Sequence, residues 1–166
     1  MTNLTNQIQV NKIVIELKRA GVYNPKFNIV GLEGLAFKDG RFILTDDKPD
    51  RFNDSIVVIK LDTKTGDNLV VDAYSATTEP GRYYTLNLMN AAGAARTAFG
   101  SYKDCYGFGI HGVKAPHPAL VQIGPMTVCR DLNKDFSRVG DRMYTGLFAI
   151  NLHAAVGSPD FEDSIG

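Results

Sequence analysis

The chain has 166 residues, 44% of them apolar and 22% charged, which suits a single globular domain able to enclose a sizeable core. Eighteen Lys and Arg side chains are matched by eighteen Asp and Glu, so no long-range field favours nucleic acid or an anionic membrane surface. No apolar run approaches the roughly 20 residues that span a bilayer. Met1-Thr2-Asn3-Leu4-Thr5-Asn6 carries no basic stretch followed by an apolar segment, so no Sec signal is read there, and synthesis in the cytoplasm is expected.

Val10, Ile13, Val14 and Leu17 recur at helical spacing. Asn6 reads as the N-cap, Lys18-Arg19 as the last turn and Gly21 as the stop, with Pro25 preventing resumption. Residues 1–24 are therefore expected to form a helical segment ahead of a β-rich domain over 25–166. Within that domain the predicted strands are Phe27–Leu32, Arg41–Thr45, Ser55–Leu61, Leu69–Tyr74, Tyr106–His111, Leu120–Ile123, Met126–Arg130 and Phe148–His153. Lys64-Thr65-Gly66-Asp67-Asn68 is the loop of a hairpin. Asp46-Asp47-Lys48-Pro49-Asp50 reads as an exposed loop, and Met89–Ala98, rich in small residues, as a close-packed loop or a short helix. The fold class expected is mainly β with one N-terminal helix.

Few residues carry chemistry. His153 ends an apolar run, where an imidazole can accept a proton from a thiol or hydroxyl near neutral pH. His111 is followed by Gly112 in Gly109-Ile110-His111-Gly112, and those glycines let a substrate approach or simply make a turn. His117 lies between Pro116 and Pro118 and reads as a loop residue. Three histidines are enough to hold zinc, but no HxxxH or HExxH spacing is present. The competing reading of each is an imidazole hydrogen-bonded to backbone for structural reasons.

Asp131-Leu132-Asn133-Lys134-Asp135, with Asp141 beyond, places oxygen donors at alternate positions, as a Ca²⁺ loop requires. Phe136 and Arg142 stand where an EF-hand needs Gly and Glu, so this is no EF-hand, and a solvated hairpin tip is the competing reading. Thr77 and Thr78, in Ser75-Ala76-Thr77-Thr78-Glu79-Pro80-Gly81, offer hydroxyls to a polar substrate or to a turn. Cys105 and Cys129 form no CxxC pair and are expected to be packed, reduced thiols.

The order of several segments resembles a known family. These are Phe52-Asn53-Asp54-Ser55-Ile56, Ala76-Thr77-Thr78-Glu79-Pro80-Gly81, Tyr102-Lys103-Asp104 and Gly109-Ile110-His111. Ala119-Leu120-Val121-Gln122, Cys129-Arg130-Asp131 and Gly146-Leu147-Phe148-Ala149-Ile150-Asn151-Leu152-His153 complete the set. Together they resemble the phage and bacterial proteins related to L,D-transpeptidases, the YkuD-like group that acts on peptidoglycan. The resemblance runs from about Phe27 to the C-terminus. It implies an L,D-transpeptidase-like β-sandwich with a groove between strands and loops. It also implies His153 and His111 as catalytic residues, Thr77, Thr78 and Tyr102 as substrate contacts, and no required cofactor.

In that family a strand-ending histidine precedes a Ser-x-Gly-Cys motif whose cysteine is the nucleophile. Here Ala154 stands where a glycine usually follows the histidine, and Gly166 is reached before any such motif. Phe161 and Ile165, apolar within an acidic tail, look like the approach to another element, so a chain continuing past Gly166 is expected. The function implied is acyl transfer or stem-peptide cleavage on peptidoglycan, in a phage lytic or virion-associated setting, with stem peptides and other virion proteins as partners. The alternative is a non-catalytic binding or structural virion module on the same fold. A metal-dependent peptidase using His111 and His153 is a third reading.

Overall fold

The computed structural model describes residues 4–39 and 41–154. The acidic tail with Phe161 and Ile165 lies outside the described residues. The class is mainly β, with several antiparallel sheets and an N-terminal helix, as expected. The chain divides into two compact units, the first ending at Thr78 and the second beginning at Glu79.

In the first unit, helix α1 (Leu4–Arg19) lies with strands β1 (Asn28–Leu32), β4 (Asp54–Leu61) and β5 (Asn68–Ala76), which form a sheet in the order β1-β4-β5. Strands β2 (Leu35–Lys38) and β3 (Arg41–Leu44) make a separate hairpin. Helical periodicity gives α1 one apolar stripe, and Val10 and Val14 from that stripe pack with Val57 and Ile59 of β4 as a dry core. The alternation of β4 puts Val57 and Ile59 on one face, so helix period and strand period meet in the same cluster. The helix starts at Leu4, so Asn6 sits inside its first turn rather than capping it. It closes where expected: Gly21 adopts φ +71°, and the Val22 amide reaches back to the Leu17 carbonyl.

The β4–β5 hairpin turns through Gly66 (φ +78°), in the loop expected of it. Asp54, fully buried, ties this unit together. Its Oδ1 accepts from the Gly34 amide at 2.8 Å, and its Oδ2 accepts from both the amide and the hydroxyl of Thr78 at 2.7 Å.

The second unit contains a short helix α2 (Arg82–Leu86) and two three-stranded sheets. One runs β10-β9-β6, from β6 (Ala94–Thr97), β9 (Met126–Asp131) and β10 (Arg142–Gly146). The other runs β11-β8-β7, from β7 (Tyr106–His111), β8 (His117–Gln122) and β11 (Leu152–His153). Met89–Ala98, expected as a loop or short helix, contains strand β6. Its small residues fit there because Gly93 sits against the Asp131 backbone, where an added Cβ would come within 2.6 Å. The expected strand over Phe148–His153 shrinks to Leu152–His153, because Ala149 adopts φ +57° and the amides of Phe148 and Ile150 turn to a side chain instead of a ladder. Among the described residues, no helix is long and apolar enough to cross a membrane.

Candidate active site

Strand register assembles the site. In the β7–β8 hairpin His111 lies opposite His117, and Gly109 opposite Ala119. On the other side of β8, His153 of β11 also lies opposite Ala119. Because directly opposed residues project to the same face and alternate residues share it, all three histidines of the chain stand on one face of this sheet. Gly109 and Ala119 are the small residues between them.

The rings meet. His111 and His153 stack with centroids 4.5 Å apart and an interplanar angle of 18°. His117 sits edge-on to both, at 5.4 Å from His111 and 5.1 Å from His153. The turn that allows this passes through Gly112 at φ +86°, where a Cβ would fall 2.8 Å from the Ala115 carbonyl oxygen. His153 is exposed, whereas His111 and His117 are half-buried.

Each ring is held through Nδ1. His117 Nδ1 lies 2.8 Å from the Ala115 carbonyl and His153 Nδ1 2.9 Å from the Ala154 carbonyl. A carbonyl only accepts, so both rings donate from Nδ1, and in their neutral forms both keep a lone pair on Nε2. His117 Nε2 is buried without a hydrogen-bond partner. His111 Nδ1 instead faces the Asn151 side-chain nitrogen at 3.0 Å. Burial first, and then the neighbouring His153 and His117, push the His111 pKa below its ordinary value.

Gln122 fixes the segment that delivers Asn151 and His153. Its side-chain nitrogen donates to the carbonyls of Gly124 (2.9 Å) and Gly146 (2.8 Å), and its oxygen accepts from the amides of Phe148 (2.8 Å) and Ile150 (3.1 Å). Three of these four side-chain bonds hold the 146–150 segment, and the fourth ties the side chain to Gly124. The Gln122 backbone amide adds a fifth bond, to Asn151 Oδ1 at 3.0 Å.

The other sequence-predicted residues have internal partners. Thr78 is bonded to Asp54 through both amide and hydroxyl, and Thr77 lies beside it at the end of the first unit. The Tyr102 hydroxyl is 2.7 Å from the Ala98 carbonyl and 3.1 Å from that of Thr127, and burial pushes its pKa up. Asp131, fully buried, accepts from the amides of Asp135 (3.2 Å) and Phe136 (3.0 Å) and lies 3.9 Å from Arg96. Asn133 donates to Asp135, whose other oxygen accepts from the Ser137 amide. Asp141 keeps one buried oxygen without a partner. Burial, then Asp131 and Asp135, raise its pKa.

Cys105 and Cys129 are free and buried, and burial pushes both thiols up, away from the thiolate form. Among the described residues, the three histidines do not form a group whose ligand atoms lie close enough together to hold one metal ion. Sequence reading missed Gln122 and Asn151 as organising residues and passed over His117. The one signal available was Asn151 two positions before His153, the spacing of residues on one face of a strand. No family model matches this chain, and no similar curated protein or solved structure is found.

Proposed function

We propose that this protein acts on the stem peptides of peptidoglycan by acyl transfer or cleavage, with His153 as the proton acceptor. The observation that carries the reading is the placement of His153. It is an exposed, strand-ending imidazole whose Nδ1 is anchored to Ala154, leaving Nε2 free to take a proton. The ordered sequence segments that resemble the L,D-transpeptidase-like group supply the substrate class. In this chemistry a thiolate attacks the peptide carbonyl and the amine leaves with a proton from the imidazolium. A second amine or water then resolves the thioester.

Neither Cys105 nor Cys129 suits that thiolate, since both are buried with raised pKa values. The reading therefore requires a cysteine that these 166 residues do not include. A phage lytic or virion-associated setting, with release to the wall on lysis and other virion proteins as partners, fits the same resemblance.

The test uses purified sacculi and the protein expressed through its downstream reading frame, with products read by mass spectrometry. His153→Ala should reduce turnover by about 10²-fold or more, the range for loss of a general base. Undiminished turnover in that variant would refute the assignment. The buried state of both thiols also favours a second reading, a non-catalytic virion module on the same fold. Saturable binding of the 166-residue chain to sacculi, with no turnover at any chain length, would select it. Loss of turnover on dialysis against a chelator would instead select the metal-dependent peptidase.

A further inference from the structure

We infer that Asn151 is a positioning residue that fixes the tautomer of His111, so that the two stacked histidines enter the site with opposite hydrogen-bonding character. His111 then offers an N–H from Nε2, and His153 offers a lone pair from Nε2. The inference deepens the proposed acyl-transfer reading and rests on it for the chemical use of the pair. The tautomer itself can be measured without substrate.

A backbone donor orients the Asn151 side chain. The Gln122 amide can only donate, and its partner 3.0 Å away is the side-chain oxygen of Asn151. That contact fixes which way the Asn151 amide group points. Its nitrogen is then the atom 3.0 Å from His111 Nδ1. An amide nitrogen carries two hydrogens and accepts nothing, so His111 Nδ1 must be the acceptor, without a proton of its own. A neutral imidazole has one ring N–H, and in His111 it is therefore on Nε2. Protonating His111 at Nδ1 would set an N–H against an N–H. The two groups facing the ring, His117 of β8 and His153 of β11, also oppose a second positive charge.

His153 is arranged the other way. Its Nδ1 faces the Ala154 carbonyl and carries the proton, so Nε2 has the lone pair. Two imidazoles 4.5 Å apart are thus a base and a neutral N–H donor. Peptide acyl transfer needs a group that takes a proton from the nucleophile and a donor that meets the negative charge developing on the carbonyl oxygen. A neutral donor beside the base does not raise the cost of charging the base, as a permanently cationic histidine would. The ligand chemistry that fits is a carbonyl oxygen accepting from His111 Nε2–H.

Long-range ¹H–¹⁵N correlation spectra of the imidazole rings in the ¹⁵N-labelled protein, recorded near pH 8, test this directly. The expected result is the Nε2–H pattern for His111 and the Nδ1–H pattern for His117 and His153. Asn151→Asp replaces the donor with an acceptor. It should convert His111 to the Nδ1–H pattern and raise its pKa above the ordinary value of about 6.5. An Nδ1–H pattern for His111 in the unaltered protein would overturn the inference, as would an Asn151→Asp ring pattern identical to the parent's. The parent spectrum decides even if the variant does not fold. In the turnover assay, Asn151→Asp should lower kcat more than it changes KM and should shift the pH profile. Failure of all turnover would count against the acyl-transfer reading, while the ring spectrum would still decide the tautomer.

Discussion

Replacing Gln122 with Met keeps the length and most of the volume of the side chain and deletes its hydrogen bonding. Four backbone groups lose their partner at once: the carbonyls of Gly124 and Gly146 and the amides of Phe148 and Ile150. A typical intramolecular hydrogen bond contributes about 1 kcal/mol net, and a buried group left unpaired costs about 1–3 kcal/mol. Were the whole segment dry, the loss would be about 4 kcal/mol or more on that scale. Leu147 and Ala149 are exposed, however, so water reaches part of the segment and re-satisfies some of these groups. We expect a destabilisation of about 2–3 kcal/mol, a large share of the 5–15 kcal/mol that holds a domain folded. At a chain of this size that is a fall in Tm of about 5–10 °C.

The assay is urea and thermal unfolding of parent and variant side by side. Gln122→Glu sharpens it. The carboxylate still accepts from Phe148 and Ile150, but its other oxygen faces two carbonyl oxygens and repels them. Below its own pKa it regains one donor. The folded state then binds the proton more tightly than the unfolded state, so the deficit of Gln122→Glu should shrink as pH falls. A Gln122→Met variant within about 0.5 kcal/mol of the parent, the scatter of surface substitutions, would refute the assignment of this side chain as the anchor of the 146–150 segment.

Three further outcomes follow from other sites. The His111 pKa lies below its ordinary value, so between about pH 6.5 and that lower value the unfolded chain binds more protons. Stability should be full above pH 6.5 and fall as pH drops through this window, and His111→Gln should flatten the slope in pH-dependent urea unfolding. Asp141, whose pKa is raised by burial and by Asp131 and Asp135, costs stability as pH rises above its ordinary 3.8. Asp141→Asn should therefore raise Tm at neutral pH and lose that advantage on acidification, and an unchanged Tm at pH 7 would count against it. Asp54→Ala should cost about 3–5 kcal/mol, since it strands the buried Gly34 amide and the half-buried amide and hydroxyl of Thr78. Asp54→Asn should recover part of that loss, as read by thermal unfolding.

What the sequence showed plainly was whatever depends on local period. The apolar stripe of α1, the alternation of β4, the β4–β5 hairpin and the span of β7 are each set by residues within a few positions of one another. Strands β2, β6 and β10 were not legible for a related reason. β2 is four residues long, Ala94–Thr97 has small and basic residues where β-branched ones were sought, and Arg142–Gly146 is exposed along most of its length. None of them carries a strong alternation. The apolar run Phe148–Ile150 misled in the opposite direction. Its composition is that of a strand, but its amides are taken by Gln122, which lies more than twenty positions earlier.

The same long-range dependence governs the site. His153 could be singled out in the sequence because it ends an apolar run and His111 because it lies among glycines, but their stacking depends on β8 lying between their strands, with Ala119 opposite both Gly109 and His153. His117 reads as a loop residue between two prolines, yet it heads β8 and completes the cluster. A proline leaves the ladder without a donor, which an edge or strand-start position tolerates. His117 and Pro118 open the strand beside the hairpin turn, where that loss is smallest. Asn151 matters only because a backbone amide 29 residues away orients it. A side chain whose role is set by a distant backbone donor leaves no trace in spacing or composition. His111 and His153 were therefore visible as residue types, while the groups that decide which nitrogen carries the proton became visible only with the register of β7, β8 and β11.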